Sequence, residues 1–307
     1  MQQYTMDIIG RRKIWYLISL ILIIPGILAI IFWRIPTGLD FKGGTLIDIE
    51  YQEIIPKEKI ENAIEPIVKE AFIQQSDKSF IIRTPVLDSE TQQKLEAELS
   101  KIGEYQKNRF EIVGPTVSNN LKNKAILAVI LATIGIIIYI SIAFRKVPKP
   151  ASSWRFGVCA VSALIHDITF VIGLFAILGH FFAFEVDSLF ITALLTIMGF
   201  SVHDTIVVFD RIRENLRKSP SLDFETNVNN SIIQTVNRSL NTSFTVLIVL
   251  LSLYLLGGET LKPFMLALIV GIAIGTYSSI FNAPPLLVSW QSWSTRRLSR
   301  RLEKVSS

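Results

Sequence analysis

The chain has a single cysteine, Cys159, set inside an apolar segment, so no intramolecular disulfide can form. Any part of it in an oxidising compartment has to hold by packing. Charge is scarce too: 19% of the 307 residues are Asp, Glu, Lys or Arg while 50% are hydrophobic, against a soluble norm of about 25% charged. Together these shortages exclude a soluble globular enzyme, a disordered chain and a disulfide-stapled secreted domain. Catalytic motifs are missing as well. The sequence has no HExxH, no GxSxG, no Gly-rich phosphate loop and no cysteine pair for a metal. An intramembrane aspartyl protease would need a Gly-x-Gly-Asp context, and Asp204 stands in Ser201-Val202-His203-Asp204 instead. The expectation is therefore a non-enzymatic protein with no cofactor and no metal. The formal charge of +5 comes from 31 basic and 26 acidic residues. In a soluble protein that would hint at nucleic acid; here no nucleic-acid partner is expected, and the useful question is on which side of a membrane the charges lie.

What is abundant is apolar sequence in long blocks, such as Ile14–Phe32 and Ala125–Phe144. About 20 residues at 1.5 Å rise cross a 30 Å hydrocarbon core. Six spans are expected, at 14–33, 124–144, 156–179, 187–209, 239–257 and 262–290. The first follows Arg11, Arg12 and Lys13 and reads as a retained signal anchor rather than a cleaved signal peptide. Lys and Arg recur on alternate connections: Arg145, Lys146, Lys149 and Arg155, then Arg211, Arg213, Arg217 and Lys218, then Arg296, Arg297, Arg300, Arg301 and Lys304. The opposite short loops, 180–186 and 258–261, contain none. By the positive-inside rule both termini are cytoplasmic. The basic tail also suits contact with anionic lipid of the bilayer.

Four regions follow: 1–33, the cytoplasmic N-terminus and first span; 34–123, an extracytoplasmic α+β domain; 124–290, a five-helix membrane region; and 291–307, a basic cytoplasmic tail. Within 34–123, Thr45–Tyr51 alternates with the period of a half-buried strand. Lys57–Phe72 has helical spacing after Pro56, and Ser79–Thr84 is a second strand. Ser89-x-x-Gln92 reads as a capping box before a helix with Leu95, Leu99 and Ile102 inside. With Arg109–Val113, and a short strand at Phe72–Gln75, the order is that of a ferredoxin-like split βαβ domain.

Ionisable residues inside spans are functional candidates, since each costs at least about 2.5 kcal/mol at mid-membrane. His166 and Asp167 lie in the third span and His203 and Asp204 in the fourth, in a faint Ile-His-Asp and Val-His-Asp echo. Arg238 opens the fifth, and at about 100° per residue it shares a face with Thr242 and Thr245. Two readings of Asp204 stand: a structural acid paired with a buried base, or a carboxylate that takes up and releases a proton as Arg238 approaches and withdraws. His203 lies about 100° round the helix from Asp204, so pathway and packing roles are both open. Asp167 and His166 orient helices or line the same polar core, with a direct proton role as the alternative that places Asp167 on the proton pathway. Gly271-x-x-x-Gly275 is a small-xxx-small face for close helix packing, with Tyr277, Ser278 and Ser279 extending polarity beyond it. Breaks are expected at Pro25-Gly26 and at Pro284-Pro285.

These residues also carry a resemblance. Gly38-Leu39-Asp40-Phe41-Lys42-Gly43-Gly44 resembles the LDFxGG signature of the SecF family of the bacterial Sec translocon, and Gly114-Pro115-Thr116-Val117 resembles its second short motif. The run from Gly199 through Asp204 and Arg211 to Asn215 is similar to the family's most distinctive motif. Arg238–Ser243 and Gly275–Phe281 match as well. LDFxGG by itself is unspecific, since the partner SecD carries a relative of it; the fourth-span motif is specific.

The resemblance implies half of an RND-type membrane fold, completed by SecD, in a bacterial inner membrane or a thylakoid membrane. It implies use of the proton-motive force to assist export of unfolded preprotein through the SecYEG channel after the SecA ATPase. The family's intramembrane acid maps onto Asp204 and its arginine onto Arg238. Where the family commonly has Asn, this chain has His203, a titratable imidazole that bears on the working pH range. Two other classes compete: an RND-type proton-coupled exporter of small molecules or lipids, and a passive scaffold. An outer domain of 34–123 is small for a drug exporter, and an exporter built from one half would need a partner chain or a second copy.

Overall fold

The computed structural model describes residues 6–145, 152–182 and 184–306. Lys146 and Lys149 of the expected basic loop lie outside them. The chain separates into a helical unit, made of residues up to 35, 129–184 and 189 onwards, and a sheet unit made of 36–128 and 185–188.

The sheet unit begins with α2 (Leu39–Lys42), after α1 (Arg12–Trp33) of the helical unit. It continues as β1 (Gly44–Tyr51), α3 (Lys57–Ile64), β2 (Phe72–Ser76), β3 (Ser79–Thr84), α4 (Ser89–Ile102) and β4 (Tyr105–Val113). The strands form one antiparallel sheet in the order β2-β3-β1-β4. Ile47 pairs with Ile82 and with Phe110, and a bulge between Asp48 and Ile49 shifts the β1–β4 register. Alternation in β1 sends Ile47, Ile49 and Tyr51 to one face, where Phe80, Ile82, Ile60, Ile64, Leu95 and Leu99 close the core. The Tyr51 hydroxyl donates to the Leu99 carbonyl at 3.0 Å, tying sheet to helix. This is the split βαβ arrangement expected from the sequence.

Two local expectations are corrected. The helix after Pro56 stops at Ile64, well short of Phe72, because Pro66 has no N–H to continue the ladder. The cap of α4 is Asp88, not Ser89: the Asp88 carboxylate accepts from Thr91 N–H at 2.8 Å. That bond holds the Asp88 carboxyl below its usual range.

The helical unit contains α1, α5 (Pro115–Ala143, which starts in the sheet unit), α6 (Ser153–Phe182), α7 (Ser188–Lys218), α8 (Phe224–Leu256), α9 (Lys262–Phe281) and α10 (Ala283–Ser306). Among the described residues six helices are long and apolar enough to cross a bilayer, with Lys262–Arg297 counted as one. α1 is unbroken through Pro25, contrary to the expected interruption. Gly26 there lies against Gly173 of α6, where an added Cβ would come within 2.5 Å of the Gly26 Cα. The last span does break, at Asn282, one residue before the Ala283-Pro284-Pro285 start of α10. Phe144, Phe156 and Phe209 stack at one end with ring centroids 5.0–5.8 Å apart. The segment before α1 is strapped to α8 by Asn229, which accepts from the N–H groups of Ile8 and Ile9 at 2.9 and 3.2 Å.

Two tests follow from these contacts. Gly173→Leu forces α1 from α6 and should cost about 1–3 kcal/mol in thermal unfolding of the detergent-solubilised chain, while Gly135→Leu, with no atom near its Cβ position, should be neutral. For Asp88 the sign runs with its lowered pKa: its stabilisation is present above the unfolded carboxyl range and is lost as the pH falls through the folded value. The Tm difference between wild type and Asp88→Ala should therefore be full at neutral pH and close on acidification.

Candidate functional site

Three helices surround each of two buried acids. Asp167 on α6 is 0% exposed and Asp204 on α7 is 6% exposed. Asp204 Oδ1 accepts from the Ser239 hydroxyl of α8 and Oδ2 from the Ser279 hydroxyl of α9, each at 2.6 Å. Asp167 Oδ2 accepts from Ser201 of α7 at 2.6 Å and from Ser278 of α9 at 2.7 Å. Its Oδ1 lies 2.9 Å from His166 Nδ1, and His166 Nε2 is buried without a hydrogen-bond partner. One turn further along, Ser243 of α8 meets Thr276 of α9 at 2.5 Å.

The spacing that produces this is local. Ser201 and Asp204 are three apart and share a face of α7; Ser239 and Ser243 are four apart on α8. Successive residues of α9 divide their work, Ser278 bonding one acid and Ser279 the other. Small residues make the approach close enough for short hydroxyls to reach. A Cβ on Gly275 would meet Ser201 Cβ at 3.2 Å, and one on Gly271 would meet Ile197 at 2.2 Å. Gly271 and Gly275 thus face α7 at the level of the acids.

Arg238 and His203 lie elsewhere. Arg238 is on the exposed face of α8 with Asn241, Thr242, Phe244 and Thr245, and no carboxylate pairs with it among the described residues. The reason is angular: Ser239 and Ser243 occupy the inward face, about 100–140° round the helix from Arg238. His203 is exposed on α7, one residue from Asp204 and turned from it. The chain alone therefore assembles Asp167 and Asp204 with serines and leaves Arg238 and His203 on its outer surface. The Arg238–Thr242–Thr245 stripe drew attention in the sequence, with Ser243 as one polar residue among several, while Ser201 and Ser239 went unmarked as partners of the acids. A serine three residues before the acid, and a serine pair four apart, were the signal available. Among the described residues no three His, Cys, Asp or Glu side chains converge as a metal would require.

Hydroxyls are the telling choice of partner. A serine can donate to a carboxylate and can equally accept from a carboxylic acid, whereas an arginine only donates. A carboxyl held by serines is satisfied in both protonation states.

Six apolar helices, an intramembrane carboxylate site and an attached four-stranded α+β domain define a multi-pass membrane protein with a polar centre. Comparison narrows the class. The family model "Protein export membrane protein SecD/SecF, C-terminal" matches residues 94–293. The protein translocase subunit SecF of Thermobaculum terrenum is 45% identical over 97% of this chain and 98% of its own. That of Anaerolinea thermophila is 40% identical over 98% and 99%. The crystal structure of SecDF from Thermus thermophilus, a translocon-associated membrane protein, superposes with a TM-score of 0.85 at 33% identity. It covers 94% of this chain, which spans only 39% of that longer one. The chain belongs to the SecF family of protein translocase subunits, accessory components of Sec-dependent protein export.

The second acid gives a test of the site's construction. Asp167→Leu leaves Ser201 and His166 without their partner and Ser278 with the Gly275 carbonyl alone, at about 1–3 kcal/mol for each unsatisfied group. The detergent-solubilised variant should melt well below wild type, and Asp167→Asn, which keeps an acceptor oxygen, should recover much of the loss.

Proposed function

We propose that this subunit works with SecD to turn the proton-motive force into assistance for preprotein export through SecYEG, after the SecA ATPase has acted. Its role is coupling rather than enzymatic chemistry. The observation that carries this reading is Asp204, buried in the helical unit and held, among the described residues, by the two neutral hydroxyls of Ser239 and Ser279. An acid held in register by an ion pair would have a cation beside it; this one has partners that tolerate loss and gain of a proton. Arg238 follows immediately before Ser239 on α8. A rotation of that helix exchanges Ser239 for Arg238 beside Asp204, and the guanidinium favours the ionised form. Proton release then accompanies arginine approach, and uptake follows its withdrawal. Asp167 and His166 belong to the same polar core through Ser201 and Ser278, and His203 on the outer face of α7 is the member of the pathway that a partner subunit would cover.

The SecD partner is supported by the solved SecDF chain, of which this one matches 39%. Exposed apolar residues on α8, including Phe244, Ile248 and Val249, leave a face for lipid or for that second half. Basic residues at the connections that follow α7 and precede α1 support cytoplasmic termini in a bacterial inner or thylakoid membrane, with the sheet unit on the outer side.

The test uses membrane vesicles containing the assembled complex and an imposed proton gradient. Asp204→Asn should assemble with its partner and lose the gradient-dependent part of preprotein export, leaving the ATP-driven part. A full response to the gradient in an assembled Asp204→Asn complex makes the acid structural and ends the proton reading.

A further inference from the structure

Residues 36–44, between the first span and the sheet, are bound to the segment that leads into α7. Val186 N–H donates to the Pro36 carbonyl at 2.7 Å, and Gly38 N–H donates to the Val186 carbonyl at 2.8 Å. Thr37 and Val186 form a parallel bridge, with Val186 buried. Beyond it, the Asp40 carboxylate accepts from Ser188 N–H at 2.9 Å and also from the Ser188 hydroxyl. Ser188 is the first residue of α7, so Asp40 supplies an anion at that helix's N-terminus, where the helix dipole favours one.

A second tie lies next to it. Arg83 Nε on β3 is 3.1 Å from Glu185 Oε2, both side chains being largely covered. Burial pushes the Glu185 carboxyl up, and the charges of Arg83 and Lys42 oppose that push. Glu185–Ser188 is accordingly part of the sheet unit, although Ser188 opens a helix of the other one. The route from α2 into β1 requires glycine. Gly43 and Gly44 have φ of 75° and 137°, and a Cβ on Gly44 would stand 2.4 Å from the Thr84 carbonyl oxygen. The Leu39–Gly44 signature is thereby the element that brings Asp40 to the start of α7.

From Ser188 the helix runs uninterrupted to Lys218 and carries Ser201 and Asp204 on the way. At 1.5 Å rise per residue, Asp204 lies about 24 Å down that helix from the Asp40 contact. A continuous helix transmits a displacement along its axis, and small shifts at one end are felt at packed groups on the other.

We infer that Asp40 is a positioning residue: with the Arg83–Glu185 tie it clamps the first turn of α7 to the sheet domain, so that movement of that domain and the state of Asp204 are mechanically linked. The inference rests on the proton-coupled reading above. It adds a route between the proton site and the domain proposed to face the exported chain.

Two readouts are taken on the same vesicles containing the assembled complex: proton uptake, followed with a pH-sensitive dye, and the gradient-stimulated increment of preprotein export. In Asp40→Ala, proton uptake should persist while the export increment falls by about fivefold or more, the scale of coupling between linked sites. Asp40→Asn, which keeps an oxygen for Ser188, should restore the increment. Arg83→Glu and Glu185→Arg should each reduce it, and the double reversal should recover it, which covers the case in which Asp40→Ala fails to assemble. An assembled Asp40→Ala complex with the full increment overturns the inference. So does joint loss of proton uptake and export, which would make Asp40 a support of α7 alone. A wild-type complex that shows neither readout overturns the underlying proton reading, and needs no variant to reveal it.

Discussion

The organisation of the helical unit turns on the cost of removing a carboxylate from water, at least about 2.5 kcal/mol in mid-membrane. Asp167 and Asp204 both meet it, and both accept from serine hydroxyls of neighbouring helices, Asp167 with His166 beside it as well. Each bond fixes a helix. Asp204 joins α7 to α8 and α9; Asp167 joins α6 to α7 and α9. Because the hydroxyls need to be within hydrogen-bond reach, the backbones have to come close, which is why Gly271 and Gly275 face Ile197 and Ser201. Close packing and the polar centre are therefore one constraint seen from two sides.

On the proposed reading, that arrangement also lets the centre change state. Hydroxyl partners reverse direction when a proton arrives, so the acid loses no hydrogen bond on neutralisation. A buried ion pair would instead leave an uncompensated guanidinium behind, a strongly unfavourable outcome. With Arg238 on the outer face of α8 and Ser239 on the inner one, the two alternatives for Asp204 sit side by side on one helix.

Much of this was legible in the sequence, and the rest was hidden for physical reasons. Span number came from block hydropathy, and the strand order of the sheet domain from period-2 and helical spacing in Thr45–Tyr51, Ser79–Thr84 and Leu95–Ile102. Boundaries slipped where one residue decided: Pro66 ended α3, and Asp88 displaced Ser89 as a cap. Pro25 stands inside an unbroken α1, and the next residue, Gly26, packs on Gly173, a contact that sequence alone does not reveal. The buried acids were found from their charge alone. Of their partners, Ser278 and Ser279 stood out as polarity in the last span, whereas Ser201 and Ser239 did not, because serine is common and its meaning depends on which helix faces it. The contact of Asp40 with Ser188 joins residues 148 apart in sequence, which local periodicity cannot reveal.

On the proposed reading, Asp204 changes protonation state in the working complex as α8 exchanges Ser239 for Arg238 beside it. Infrared difference spectroscopy of the reconstituted complex, with pH stepped across the membrane, reads this directly. The account predicts a carboxylic-acid C=O band that appears on proton uptake, vanishes on release and is missing from Asp204→Asn. A spectrum with no such band under conditions that drive export would contradict it.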